Sequence, residues 1–156
     1  MTAIFAFYVG RGTLRDQLIR LVTGYPQSHV ELLVVPEIKR ENSCISASKR
    51  DKLGVRMADI KWNPDHWTFM IAPDVDGSDC LKRIQYQLRK PYDTLGAVLS
   101  ISPLDVGFKG HWFCSELMAY GVRLKNPQRY TPGGFRQALI RMGCEEFRIQ
   151  KQAGQT

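Results

Sequence analysis

The sequence lacks any apolar run approaching the ~20 residues that span a bilayer, so no transmembrane segment is expected. It also lacks paired cysteines. Cys44, Cys80, Cys114 and Cys144 are nowhere closer than 30 residues, which excludes the spacing of a zinc knuckle or a dithiol redox motif. Neither a metal nor a cofactor is expected, and four independent reduced thiols, at least three of them structural, are the default. The opening stretch "MTAIFAFYVGRGT" has no basic leader and no small-residue cleavage site. It is expected to be a first strand rather than a signal peptide, leaving the chain in the cytoplasm at synthesis. There is no repeat, linker or low-complexity tract.

A long basic run is missing as well, although 22 Lys and Arg outnumber 15 Asp and Glu for a net charge of +7. The cations are dispersed: Arg11, Arg15 and Arg20, then Lys49, Arg50 and Lys52, then Lys82, Arg83, Arg89 and Lys90. Without a nucleic-acid motif beside them they argue for solvated helix faces, not specific nucleic-acid binding. The overall charge still suits an anionic partner such as a cell-wall polymer.

What is present fits one domain over residues 1–150, with a polar tail at 151–156. "AIFAFYV" (3–9) is a buried strand by composition. In "TLRDQLIRLVTG", Leu14, Leu18, Leu21 and Val22 fall at helical spacing, with Thr13 as cap and Gly24 as stop. Strands follow at 28–36, 43–48 and 66–73, the last bounded by Pro64 and Pro73, with "KRDKLGVR" as a polar loop between the second and third. A helix capped by Ser78 carries Leu81, Ile84 and Leu88 and ends before Pro91. Beyond a mixed segment with Pro103, Gly107 and Gly110, a helix runs from Cys114 to about Leu124. Another starts at Thr131-Pro132, faces Phe135 and Leu139 inward and stops at Gly143. "CEEFRIQ" is a final short strand. The expected class is α+β, an antiparallel sheet or half-barrel packed against helices.

Two stretches carry chemistry. In "SHVEL", a strand period of two puts His29 and Glu31 on one face, where a carboxylate can hold the imidazole's tautomer and stabilise its cation. In "GHWFCSEL", Cys114 stands at the first turn of a helix, where unpaired N–H groups and the helix dipole favour a thiolate and could receive an oxyanion. Each has a plainer reading, an idle strand-edge histidine and a buried small hydrophobe. Glu116 is read as a structural first-turn acid. His111, three residues before Cys114, and His66, at a strand entry, are weaker candidates for the base. Tyr8, Tyr92, Asp93 and Trp112 are candidates to line a substrate cleft, although core packing is the stronger reading of Tyr8 and a turn with an Asp cap explains Tyr92 and Asp93 nearly as well.

Together, "SHVELLV" and "WFCSEL" resemble the circularly permuted, papain-like branch of the NlpC-type cell-wall peptidases, which holds YiiX-like proteins and, more remotely, lecithin retinol acyltransferase-like enzymes. "CISAS", "GVR" and "YDTLG" follow in matching order over residues 1 to 125. The resemblance implies a permuted papain-like fold, with His29 as base and Cys114 as nucleophile of a cysteine peptidase or amidase. It leaves the third member open between Glu31 and Ser46, since Ser46 stands where relatives carry an orienting polar residue. Glu31 is favoured, because it shares a face with His29 and can carry charge. The implied substrates are cell-wall peptides or small acylated amides. Small phage-encoded members imply a virion or tail-associated setting. Two alternatives accompany this reading: a non-catalytic binding or structural module that keeps the fold, and a lipid acyltransferase or esterase.

Overall fold

The computed structural model describes residues 1–49, 54–93 and 111–150. Strands β1 (Thr2–Tyr8), β2 (His29–Leu33), β3 (Glu41–Ser48), β4 (Gly54–Lys61), β5 (Trp67–Asp76) and β6 (Glu145–Phe147) form one open sheet in the order β4-β3-β2-β1-β5-β6, antiparallel throughout. Among the described residues four α-helices accompany it: α1 (Leu14–Thr23), α2 (Gly77–Gln85), α3 (Cys114–Gly121) and α4 (Pro132–Arg141). The class is mixed α+β.

The central strand β1 is apolar on both faces because both faces are covered. Ala3, Phe5 and Phe7 pack with Val30, Leu32, Met70 and the helix residues Ile84, Leu117, Met118, Phe135 and Leu139. Ile4 and Ala6 point the other way, into a cluster with Leu33, Cys44, Trp62, Trp67 and Phe69. The ring of Phe135 on α4 meets Phe5 edge-on at 5.2 Å, which seats that helix on the middle of the sheet. Gly121 lets α3 close on α2, since a Cβ there would strike Cys80 Sγ and Ile84.

Several local expectations hold. Thr13 caps α1 in a reciprocal box with Asp16, and Gly24 ends it in the left-handed region at φ 70°. Thr131 caps α4 through the Gly134 N–H. Others are corrected. The α1 side chains Leu14 and Leu21 are 83% and 82% exposed, so the apolar stripe faces outward while Asp16 is the buried residue. Strand β4 occupies residues expected to be loop from Gly54 on. Strand β5 runs through Pro73, whose missing N–H falls where the β1–β5 register slips between Ala3 and Thr2 and no ladder bond is lost. The α2 cap is Asp76 instead of Ser78; its carboxylate accepts from the N–H groups of Ser78 and Asp79. That helix stops at Gln85, leaving Leu88 exposed. Helix α3 ends at Gly121, and β2 at Leu33, short of Pro36.

The connection behind α2 sets the position of α3. Residues 89 and 90 pair with edge strand β4, Arg89 N–H donating to Val55 O and Val55 N–H to Lys90 O, both at 2.9 Å. Gly54, at φ 69°, admits the Lys90 carbonyl where a side chain would block it. Tyr92 then bridges Trp112, with Asp93 N–H donating to Trp112 O at 2.9 Å, and α3 begins two residues later. Pro103, Gly107, Gly110, the end of "YDTLG" and the tail at 151–156 lie outside the described residues.

Candidate active site

The head of β2 meets the start of α3. His29 and Glu31 share a strand face as their spacing requires, and His29 Nε2 lies 2.8 Å from Glu31 Oε1. An ionised carboxylate only accepts, so Nε2 carries the proton and Nδ1 is the nitrogen left for another partner. That partner is Cys114, whose thiol and the His29 ring are within hydrogen-bonding reach. Cys114 is 3% exposed and is the first residue of α3. Its sulfur also takes the backbone N–H of Val30, the residue between His29 and Glu31.

Charge in this cluster is arranged in two pairs. Burial alone would lower the His29 pKa, but the Cys114 thiolate and its hydrogen bond, followed by Glu31, outweigh it and raise the imidazole to about 9. Burial alone would raise the Cys114 thiol, yet the His29 cation, the Val30 N–H and the charge of Arg15 bring it below its ordinary value. Each charged form thus favours the other, the arrangement that supports a thiolate beside an imidazolium. Glu31, 1% exposed, is gripped by Arg56 on β4: Nη1 donates to Oε2 at 2.8 Å and Nη2 to Oε1 at 2.6 Å. Against the opposing effect of burial, these bonds and His29 hold the Glu31 carboxyl down at about 2.

Ser46 has a different position from the one its place in the sequence suggested. Its hydroxyl donates to Val30 O at 2.7 Å, a backbone acceptor, and not to His29. It lies between the two charged residues in the sheet: opposite Arg56 on β4 and one step along from the Leu32–Ile45 pair toward Glu31 on β2. A small side chain there lets the Arg56 fork pass over β3 to reach Glu31.

The remaining candidates separate by position. Tyr92 is half-buried, and its ring carries the Arg15 guanidinium, with Cζ 4.3 Å from the centroid. Burial and the nearby Cys114 charge push its phenol up. Trp112 packs its ring 5.0 Å from Tyr120. Asp93 is buried and tied to Trp112 through the backbone. Tyr8 packs edge-on against Trp67 and His66, at 5.1 and 6.0 Å, in the sheet's other cluster. His66 sits in the turn before β5 with its N–H on Asn63 O, and the ring that reaches the thiol is that of His29, not His66 or His111. Glu116 accepts from the Phe113 N–H, the structural role expected of it, and burial pushes its carboxyl up to about 7. Phe113 is the N-cap of α3 and supplies no side-chain cap, so the first-turn N–H groups face the thiol region without one.

Sequence reasoning missed Arg56 and assigned Arg15 to a solvated face. Arg56 closes the "GVR" block of the resemblance, but nothing there gave it a role: in "GVRMADIK" the charged Arg56 is buried and the apolar Met57 is 45% exposed, the reverse of the usual order. Among the described residues no cluster of three or more His, Cys, Asp or Glu could hold a metal. Nor is any helix among them long and apolar enough to cross a membrane. Compared with known proteins, the chain matches no family model and no curated sequence.

Proposed function

We propose that this chain is a thiol hydrolase acting through an acyl-enzyme, with Cys114 as nucleophile, His29 as base and Glu31 as the group that orients and charges His29. The observation that carries the reading is the continuous chain Cys114–His29–Glu31–Arg56, in which the charged form of each group is favoured by the next. The Cys114 thiolate attacks an amide or ester carbonyl, and the His29 imidazolium returns its proton to the departing amine or alcohol. The neutral imidazole then takes a proton from water, which adds to the thioester and releases the acid and the thiolate. The first-turn N–H groups of α3, Cys114 first among them, supply donors for the oxyanion. Arg56 stays outside the chemistry; it fixes Glu31.

The order of elements, base strand before nucleophile helix, supports a permuted papain-like fold for the same site. Peptide amides of the cell wall, in a phage or other setting, are accordingly the substrates to screen first.

Alkylation of Cys114 against pH, assigned by mass spectrometry, tests the reading. Cys114 is expected to react with iodoacetamide at pH 6 at least tenfold faster than Cys80, whose thiol burial pushes up to about 12, and than the buried Cys44, which is pushed up too. His29→Ala should abolish the advantage. An ordinary titration of Cys114, the same in both proteins, would sink the hydrolase and leave a binding module.

A further inference from the structure

Helix α1 is turned the wrong way for a helix that merely covers a core. Its leucines face outward, and Arg15 and Asp16 face the site. Such reversals of the local rule concentrate where a protein does something other than fold. Between α1, the head of β2 and Tyr92 lies a cavity of about 50 Å³, lined among others by Arg15, Asp16, Ser28, His29, Lys49 and Tyr92.

The charges in this cavity do not cancel. Asp16 spends its oxygens on the fold: Oδ2 takes the Thr13 N–H and hydroxyl, each at 2.7 Å, and Oδ1 takes the Ser28 hydroxyl at 2.9 Å. Glu31 is matched by Arg56, and Cys114 faces the His29 ring, so that any charge on one is answered by the other. Arg15 lies over the Tyr92 ring and bonds its phenol, but its Nη2 is buried with no hydrogen-bond partner among the described residues. A buried guanidinium nitrogen left unpaired is costly, and natural structures rarely leave one without a reason. Lys49, exposed at the rim, adds a second cation.

Size limits what can answer that charge. One water needs roughly 10–15 Å³ of such space. The cavity therefore has room for a group of a few heavy atoms.

We propose that Arg15 forms an anion subsite beside the nucleophile, and that the substrate is an amide or ester with a carboxylate close to its scissile carbonyl. This rests on the hydrolase reading above and adds a substrate class to it. One face of the guanidinium is held by Tyr92, so the free nitrogen is presented in a fixed direction and little rotamer freedom is lost on binding.

Iodoacetate and iodoacetamide form a nearly isosteric pair that differs in the carboxylate, and both report at Cys114. Their rate ratio cancels any change in the thiolate itself. In the folded wild type the iodoacetate-to-iodoacetamide ratio should exceed that of the same thiol in the urea-unfolded chain by about tenfold or more. Arg15→Gln should bring it to within about twofold of the unfolded value, and Arg15→Lys should retain part of it. A wild-type ratio equal to the unfolded one, or a preference untouched by Arg15→Gln, overturns the subsite.

A second readout needs neither a reactive thiol nor a foldable variant. At constant ionic strength, propionate but not propionamide should shift the Tyr92 ring resonances of the wild-type protein. Failure of that shift overturns the subsite while leaving a fast, His29-dependent Cys114 intact. A shift with an inert Cys114 upholds the subsite and overturns the hydrolase.

Discussion

At the scale of the residue, the most consequential side chain stands behind the His29–Glu31 pair rather than beside Cys114. Arg56 is 6% exposed and forms two bonds to a carboxylate that is 1% exposed. A buried pair of this kind stabilises weakly against an apolar replacement of both partners, but removing one partner strands the other charge. Arg56→Met is therefore expected to cost about 3–5 kcal/mol in urea unfolding, and Glu31→Leu/Arg56→Met to recover most of it. A single-variant cost no greater than that of the double would show that the pair is not coupled. The acid side of the stability curve gives an independent check. The Glu31 carboxyl sits at about 2 in the folded protein against an ordinary 4.5, so the unfolded chain binds more protons between those values. Its contribution is full above pH 4.5 and drains away as the pH falls toward 2. The double variant should lack that part of the slope.

At the scale of the element, periodicity located helices well and misjudged which side they bury. Both α1 and α3 carry apolar residues at helical spacing, yet Leu117 of α3 is fully buried while Leu14 and Leu21 of α1 are exposed. Leu117→Ala is expected to cost about 2–5 kcal/mol by opening a cavity in the helix-side core. Leu14→Gln and Leu21→Gln should each stay within about 0.5 kcal/mol of wild type. Thermal or urea unfolding of the three variants checks the contrast, and a large loss at Leu14 or Leu21 would mean that α1 buries its leucines after all. The capping signals of α1 and α4, the His29–Glu31 face and the helix start at Cys114 were legible because each is encoded within a few residues. The Glu31–Arg56 pair was not, because it depends on the register of three strands across a connection whose geometry the sequence does not state. Ser46 shows the same limit from the other side. Its position in the chain suggested a hydrogen bond to His29, and the sheet gives it a backbone carbonyl instead.

At the scale of the whole molecule, one sheet serves two apolar clusters, with helices over one face and Trp62, Trp67 and Phe69 on the other. Strands β1 and β5 contribute side chains to both, so neither cluster can be lost while the other stands. Tryptophan fluorescence, weighted toward Trp62 and Trp67, and far-UV circular dichroism, weighted toward the helices, should give coincident urea transitions. Separated midpoints would show that the two faces come apart independently. The site straddles the same architecture, since His29, Glu31 and Arg56 come from the first sixty or so positions and Cys114 from α3. A ribosome that has delivered β4 has made His29, Glu31 and Arg56 but not the cysteine they are to face. When Cys114 emerges later, its sulfur is an ordinary thiol until α3 docks against β2. The nascent chain thus carries no assembled Cys114–His29–Glu31–Arg56 cluster through the crowded interval of its own synthesis; the cluster closes only when α3 docks.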